Sequence, residues 1–296
     1  MAWKFDNPWA ADEFVNPWDI NGAEAQKVLG GDAKMSLLPK KKIYANNKEN
    51  EKILNMLLYY VNSLKDSFDK VHNDTQKNNI EYGFNILSSY SYPLTAVNFL
   101  DSITNYAIVA GDVYTSLGAA HINPQMDVYI EDSEDFTLGN SGNQLFLGFI
   151  HSHPDDNGLN VCFSPEDIVS LIRMGILIHW GNQFRTEGVK VEDLGKYFVF
   201  FVEAPTRRFA LVITNPLKVK EEYANIADNA AQPSERTQYF TQVLKGWYYS
   251  SLPQTGNLTE SSYIDAVKFV LSQLGDDCGI LLYKSIDGDK NTFQKA

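Results

Sequence analysis

A chain of 296 residues with a net charge of −12 at pH 7 is too acidic to present the basic face that nucleic-acid binding requires. Its apolar content of 44% is high enough to bury a core, which excludes a disordered chain. Two cysteines are too few for a disulfide framework. The sequence contains no run of about 18 apolar residues, so it predicts no membrane-spanning helix. We therefore expect neither a nucleic-acid nor a membrane partner.

The N-terminus lacks the basic start and apolar stretch of a secretory signal, so a cytoplasmic location is the default expectation and signal-independent export the alternative. Residues 1–48 show no sustained period and contain Asn-Pro-Trp twice. Because proline biases the preceding residue toward extended geometry, these residues are predicted to form a non-helical arm. A Trp side chain is costly to leave in water, so the arm either packs on the chain's own body or docks on a partner protein.

An amphipathic helix and a β-rich centre are predicted next. Apolar residues recur at three- and four-residue steps from Leu54 to Val71, and a break is expected at residues 72–79. Runs rich in aromatic and β-branched residues predict strands at 80–92, 106–114, 126–130 and 145–150. A hairpin is predicted from strands 197–203 and 208–214, which flank a turn containing Pro205.

The last third changes to a helical pattern. Helices are predicted at residues 234–252 and 259–274, and Gly275 ends the second. A short strand is expected at residues 279–286, and the polar residues after Asp287 are expected to be loose.

Two of the five histidines lie one residue apart at the end of a predicted buried strand. In an extended backbone, residues i and i+2 project to the same side, so His151 and His153 can direct two imidazoles at one ion. A catalytic zinc ion takes three protein ligands and keeps a fourth position for water. That water loses a proton near neutral pH and becomes a nucleophile.

Asp167 is the candidate third ligand. Residues 164–167 read Ser-Pro-Glu-Asp and precede an apolar run, which predicts a helix start with Ser164 as N-cap and Pro165 at the first helical position. Taken alone, the Ser164 and Asp167 pair is explained by capping. Beside the two histidines, a carboxylate in the first turn of the helix can instead reach the metal.

This pattern resembles the motif of the JAMM metallopeptidases, also called JAB or MPN+, and its Phe-Ser-Pro-x-Asp-Ile ending is closest to the bacterial and phage-type branch. The family motif is an upstream Glu, then His-Ser/Thr-His-Pro, then Ser-x-x-Asp. The resemblance implies His151, His153 and Asp167 as Zn²⁺ ligands and Ser164 as the group that stabilises the oxyanion. It also implies an upstream glutamate that handles the proton of the attacking water.

Glu81 is our choice for that glutamate, because it opens a predicted strand and Gly83 follows it closely. Glu131 and Glu134 are alternatives in an acidic run that is predicted to be a solvated loop. Thirteen residues separate His153 from Asp167, more than the family usually has. The additional residues fall in a polar loop that would border the cleft, so the resemblance leaves the substrate class open.

Other candidates are weaker. Cys162 could approach the metal, but a small buried thiol is the preferred interpretation. His121 and His179 are predicted to be structural, and His72 to be solvated. A zinc deaminase would require His-x-Glu and Pro-Cys-x-x-Cys, and neither occurs in the sequence.

We expect an α/β fold with a JAMM-like, cytidine-deaminase-like mixed sheet flanked by helices at residues 49–215. The arm at 1–48 precedes it, and a helical addition at 216–296 that ends in a short strand follows. The expected function is zinc-dependent hydrolysis of a peptide or isopeptide bond in a protein or peptide substrate. One alternative is a non-catalytic JAMM-like scaffold or cargo component of a bacterial or phage assembly or a secreted toxin system. A structural zinc site is another, and it would require a fourth protein ligand.

Overall fold

The structure is a computed structural model that describes residues 47–89, 107–111, 113–115, 144–155, 161–181, 196–254, 258–275 and 278–296. Nearly all of the predicted arm, the predicted strand at 126–130, and His121, Glu131 and Glu134 lie outside these ranges. The described ranges form a mixed α/β structure with one sheet. In the same ranges, no helix is long and apolar enough to cross a membrane.

The described helices are α1 Asn47–Ser63, α2 Lys65–Asn78, α3 Pro165–Gly181, α4 Pro216–Ala227, α5 Arg236–Ser251 and α6 Glu260–Gln273. The strands are β1 Tyr82–Ser89, β2 Ala107–Ala110, β3 Tyr114–Thr115, β4 Gln144–Ser152, β5 Val199–Glu203, β6 Arg208–Ile213, β7 Ile280–Ile286 and β8 Asp289–Lys295. A 3-10 turn at Pro233–Glu235 leads into α5.

The sheet has the strand order β2-β1-β4-β5-β6-β7-β8, and β3 also pairs with β1. The pairing of β4 with β5 is parallel, and the other pairings are antiparallel. The carboxyl ends of β4 and β5 therefore lie at the same edge, where α3 also begins. This is the edge at which α/β sheets commonly bind ligands.

Each face of the sheet is covered by helices. Helices α1 and α2 pack on one face over a core that includes Phe68, Phe84 and Phe201. Helices α3 to α6 pack on the other face over a core that includes Phe149 and Phe200. Every residue of β5 and β6 is buried, as expected for strands covered on both faces.

A β-bulge in β4 sets the direction of the side chains that follow it. The ladder between β1 and β4 shifts register between Ile86 and Leu87, which leaves Leu147 as an additional residue on β4. Leu147 and Phe149 consequently face opposite cores although they are two residues apart. Regular alternation after the bulge turns His151 to the face covered by α3.

Gly148 allows the bulged strand to approach β5. A Cβ atom at this position would lie 2.1 Å from the carbonyl oxygen of Val199 and 2.8 Å from its Cγ1 atom. Neither contact is possible without moving the β5 backbone. The parallel pairing that aligns the carboxyl ends of β4 and β5 thus requires glycine here.

Several predicted elements are confirmed, namely the hairpin of β5 and β6, the helices α5 and α6, and the strands β1, β4 and β7. The predicted break at 72–79 is wrong, because α2 continues to Asn78 and buries Phe68, Val71 and Thr75 at helical spacing. The helical segment is instead interrupted at Leu64. The predicted strand at 106–114 is divided into β2 and β3.

The C-terminus differs most from expectation. The residues after Asp287 are not loose, since β8 pairs with β7 and buries Phe293. Helix α4 was not predicted; Asn215 caps it by accepting a hydrogen bond from the backbone N–H of Lys218. Because β7 pairs with β6, the sheet is continuous between the central and C-terminal residues.

Candidate metal centre

Three predicted ligands converge at the carboxyl end of β4. The Nε2 atoms of His151 and His153 are 2.8 Å apart. An Asp167 carboxylate oxygen lies 3.3 Å from the Nε2 atom of His151, and the other lies 3.7 Å from that of His153. All three residues are buried, and their donor atoms lie within 4.8 Å of one another. This group could hold a metal ion.

The donor spacing can be compared with the geometry of zinc. With ligand bonds of about 2.0–2.1 Å, two ligands of a tetrahedral zinc ion lie about 3.3 Å apart. The separations of 2.8, 3.3 and 3.7 Å fall on both sides of that value. Two imidazole nitrogens and a carboxylate are also a donor set that catalytic zinc accepts. The residues therefore fit zinc, and the group contains three donors within the described part of the chain.

Asp167 contributes to the helix cap as well as to the ligand group. The backbone N–H of Ser164 donates to its Oδ2 atom at 2.7 Å, and its own N–H donates to the Ser164 Oγ atom at 3.1 Å. The two interpretations of this pair, capping and metal binding, are thus compatible. The cap fixes the carboxylate before any ion binds. Because Ser164 Oγ accepts a bond, its hydroxyl hydrogen is left to donate elsewhere.

Glu81 lies immediately before β1 and is buried. Gly83 pairs with His151 across the ladder, and strand alternation places Glu81 on the same face as Gly83. Continued by one residue beyond β1, the same alternation assigns the Glu81 carboxylate to the face that carries the two histidines. It is not among the three residues whose donor atoms lie within 4.8 Å of one another. This position suits a group that acts through a water molecule better than a ligand.

Aromatic rings form one side of the centre. The rings of His151 and Phe200 meet edge to face with centroids 4.9 Å apart, and Phe163 packs on Phe200. Cys162 is buried, as expected, and burial raises the pKa of its thiol far above the ordinary value. A neutral thiol is a poor ligand, so the two histidines and Asp167 remain the preferred donor set.

A buried ion network lies behind the centre, on the opposite face of the sheet. Glu203, which is 1% exposed, accepts hydrogen bonds from Arg208 Nε at 2.5 Å and Lys290 Nζ at 2.9 Å. His72 Nδ1 lies 3.3 Å from the same carboxylate and its side chain is 26% exposed, so His72 is only partly solvated and also belongs to this network. Burial alone would raise the pKa of Glu203. The contacts with His72, Arg208 and Lys290 outweigh burial and lower the pKa to about 2.

Sequence patterns did not reveal this network, because its members are distant along the chain and each is an ordinary surface residue by type. One signal was available: β5 ends in Glu203 and β6 begins with Arg208 in a hairpin. Cross-strand partners of opposite charge at the base of a hairpin are favourable.

The C-terminal helices contact the first turn of α3, which carries Asp167. Lys245 of α5 lies 2.5 Å from a carboxylate oxygen of Glu166, the residue before the ligand. Tyr248 of α5 is buried in the same core as Cys162. The C-terminal third therefore packs directly against the turn that presents the third ligand. His179 lies further along α3.

No family model matches the chain, and no curated protein or solved structure matches it either. The chemistry of the centre is accordingly inferred from its own residues and geometry.

Proposed function

We propose that the chain is a zinc-dependent hydrolase of peptide or isopeptide bonds with a JAMM-like site. The observation that carries the proposal is the convergence of two imidazole nitrogens and one carboxylate in a buried group at the carboxyl edge of the sheet. Three protein donors leave one position of a tetrahedral ion for water or substrate, which is the arrangement of catalytic zinc sites.

A bound zinc ion would supply Lewis-acid chemistry, by polarising a substrate carbonyl and acidifying a water molecule. His151, His153 and Asp167 would hold it. The ring of Phe200 meets the His151 imidazole edge to face and packs on Phe163, and these aromatic contacts help to hold the imidazole in place.

Two further side chains have roles in this proposal. Ser164 would direct its hydroxyl hydrogen to the negative charge that develops on the carbonyl oxygen, since its oxygen already accepts the Asp167 N–H. Glu81 would accept a proton from the attacking water and return it to the leaving amine. Its position on the same face as the histidines, outside the ligand group, supports that role.

The two alternatives make different demands on the site. A structural zinc site requires a fourth protein ligand, and the donor group found among the described residues has three. A non-catalytic scaffold does not require the ligand set at all. The convergence of three buried donors in one group would then have no chemical reason, so the hydrolase is the better account.

The first experiment is elemental analysis of protein purified without added zinc, beside the variant His153→Ala. We expect about one zinc per chain, lost in the variant. Zinc-loaded protein would then be offered a peptide library and isopeptide-linked peptides, with products detected by mass spectrometry. Folded protein that contains no zinc and binds none when it is added would refute the hydrolase proposal and leave the scaffold.

A further inference from the structure

We infer that the ion network of Glu203, Arg208, Lys290 and His72 positions the backbone of the ligand His153, and so sets the affinity of the centre for zinc. The network lies on the opposite face of the sheet from the ligand side chains. Glu203 is thus assigned as a positioning residue. The inference rests on the proposed function in one respect, namely that the centre binds zinc.

The link between the network and the ligand is a main-chain hydrogen bond. The N–H of His153 donates to the carbonyl oxygen of Glu203 at 2.9 Å. Strand β4 ends at Ser152, so His153 lies just beyond the regular ladder. Its backbone position therefore depends on this bond more than the position of His151 does, because His151 is held within the strand on both sides.

The Glu203 side chain is held from three separate elements. Arg208 comes from β6, Lys290 from β8 and His72 from α2. Lys290 Nζ also donates to the carbonyl oxygens of Ala204 and Pro205, at 3.1 and 3.0 Å. The Lys290 ammonium thus ties the residues after β5 to the C-terminal hairpin.

The Arg208 guanidinium is fixed as firmly as the carboxylate it binds. It lies over the ring of Phe68, 4.1 Å from the centroid, and donates to Asn291 Oδ1 at 3.1 Å. Glu203 can therefore not rotate away from Arg208 without breaking several contacts at once. The residue whose carbonyl holds His153 is immobilised by its own side chain.

Stability alone does not account for this network. Removing two charges from water costs more than their attraction commonly returns, and apolar residues of similar size often stabilise a fold equally well or better. Glu203 and Arg208 are 1% and 3% exposed, so most of that cost applies here. Directional hydrogen bonds can fix the backbone next to a metal ligand. Apolar packing cannot do this, because it makes no directional bonds.

The test measures zinc affinity of the full chain by competition with a chromophoric chelator, together with the absorption spectrum of the cobalt-substituted protein. Glu203→Gln keeps the shape of the side chain but cannot bind both cations. We expect its zinc dissociation constant to rise about 10- to 100-fold, the range for residues that support metal ligands. We also expect the cobalt bands to change, because they report ligand geometry and not overall stability.

Arg207→Gln is the matched control. Arg207 is the neighbour of Arg208 in the same turn, and its guanidinium pairs with Glu260 and Asp287 and not with Glu203. This variant loses one ion pair with the partly buried Glu260 and one with the exposed Asp287, but it should keep the zinc affinity and the cobalt spectrum. If it weakens zinc binding as much as Glu203→Gln does, the effect is one of stability and the inference is overturned.

A triple variant, Glu203→Leu with Arg208→Met and Lys290→Met, covers the case in which Glu203→Gln does not fold. Apolar replacement of the Glu203 carboxylate together with Arg208 and Lys290 leaves no unpaired buried charge among these three residues. We expect a folded protein with weakened zinc binding. Wild-type affinity and spectrum in either Glu203 variant would overturn the inference and leave the hydrolase proposal intact. Failure of the wild-type chain to bind zinc would overturn both.

Discussion

Replacing Asp167 by Asn distinguishes the two roles of this side chain, which are helix capping and metal binding. The Asn side-chain oxygen can still accept the N–H of Ser164, which donates to Asp167 at 2.7 Å. That bond to the N-cap residue is one half of a capping box, so its retention should keep the stability of the metal-free variant within about 1 kcal/mol. The negative charge that binds zinc is removed, however, and the zinc affinity should fall steeply.

The expected difference can be stated as a shift in melting temperature. Zinc at 100 times its dissociation constant stabilises a folded protein by about 2.7 kcal/mol. Unfolding entropy amounts to about 2.1 cal/mol/K per residue. For 296 residues this is about 0.6 kcal/mol/K, so zinc should raise the Tm of the wild-type chain by about 4 °C. Asp167→Asn should show almost no shift at the same zinc concentration.

Scanning calorimetry with and without zinc, after removal of metal with a chelator, is the assay. Thr259→Ala provides a matched control, because Thr259 accepts a hydrogen bond from Ser262 in the capping box of α6, which lies outside the metal centre. That variant should lose about 1 kcal/mol without zinc and keep the full zinc shift. If zinc raises the Tm of Asp167→Asn as much as that of the wild type, Asp167 is a cap and not a ligand.

Three further outcomes are expected. Glu81→Gln should keep a full zinc content and lose hydrolysis by about 10²- to 10⁴-fold, and a coincident loss of zinc would contradict its role as base. Gly148→Ala should destabilise the fold by roughly 3 kcal/mol or more, since the new Cβ would collide with the Val199 carbonyl oxygen 2.1 Å away. Urea unfolding measures this loss, and near-wild-type stability would show that the bulge can relax. The low pKa of Glu203 contributes stability that is fully present above its ordinary value of 4.5 and is lost as the pH falls through about 2. Acid unfolding of Glu203→Gln should accordingly depend less on pH in that window, and an unchanged dependence would place the relevant charge elsewhere.

The centre could be predicted from the sequence because its parts are local. His151 and His153 project to the same side through the two-residue period of a strand, and Ser164 and Asp167 meet through the geometry of a helix start. The short segment between the strand and the helix keeps both pairs near one edge of the sheet. The fold class and most element types were also predictable, since they follow from apolar periodicity.

Other features depended on contacts between distant residues. The bulge at Leu147 turns His151 toward α3, and Gly148 beside it lies against a strand about fifty residues later, so the local sequence does not reveal why glycine is needed there. Strand β8 forms because β7 offers it a partner and Phe293 enters the core, although its own sequence is mostly polar.

The sequence by itself determined which side chains can bind a metal, because donor type and spacing can be recognised within a short stretch of the chain. Only the tertiary structure decided what holds them in place. Glu203 acquires its partners from α2, β6 and β8, and no local pattern specifies that a histidine, an arginine and a lysine from separate elements will surround one carboxylate. Because the Glu203 carboxylate is buried, it is stable only if the fold places hydrogen-bond donors around it.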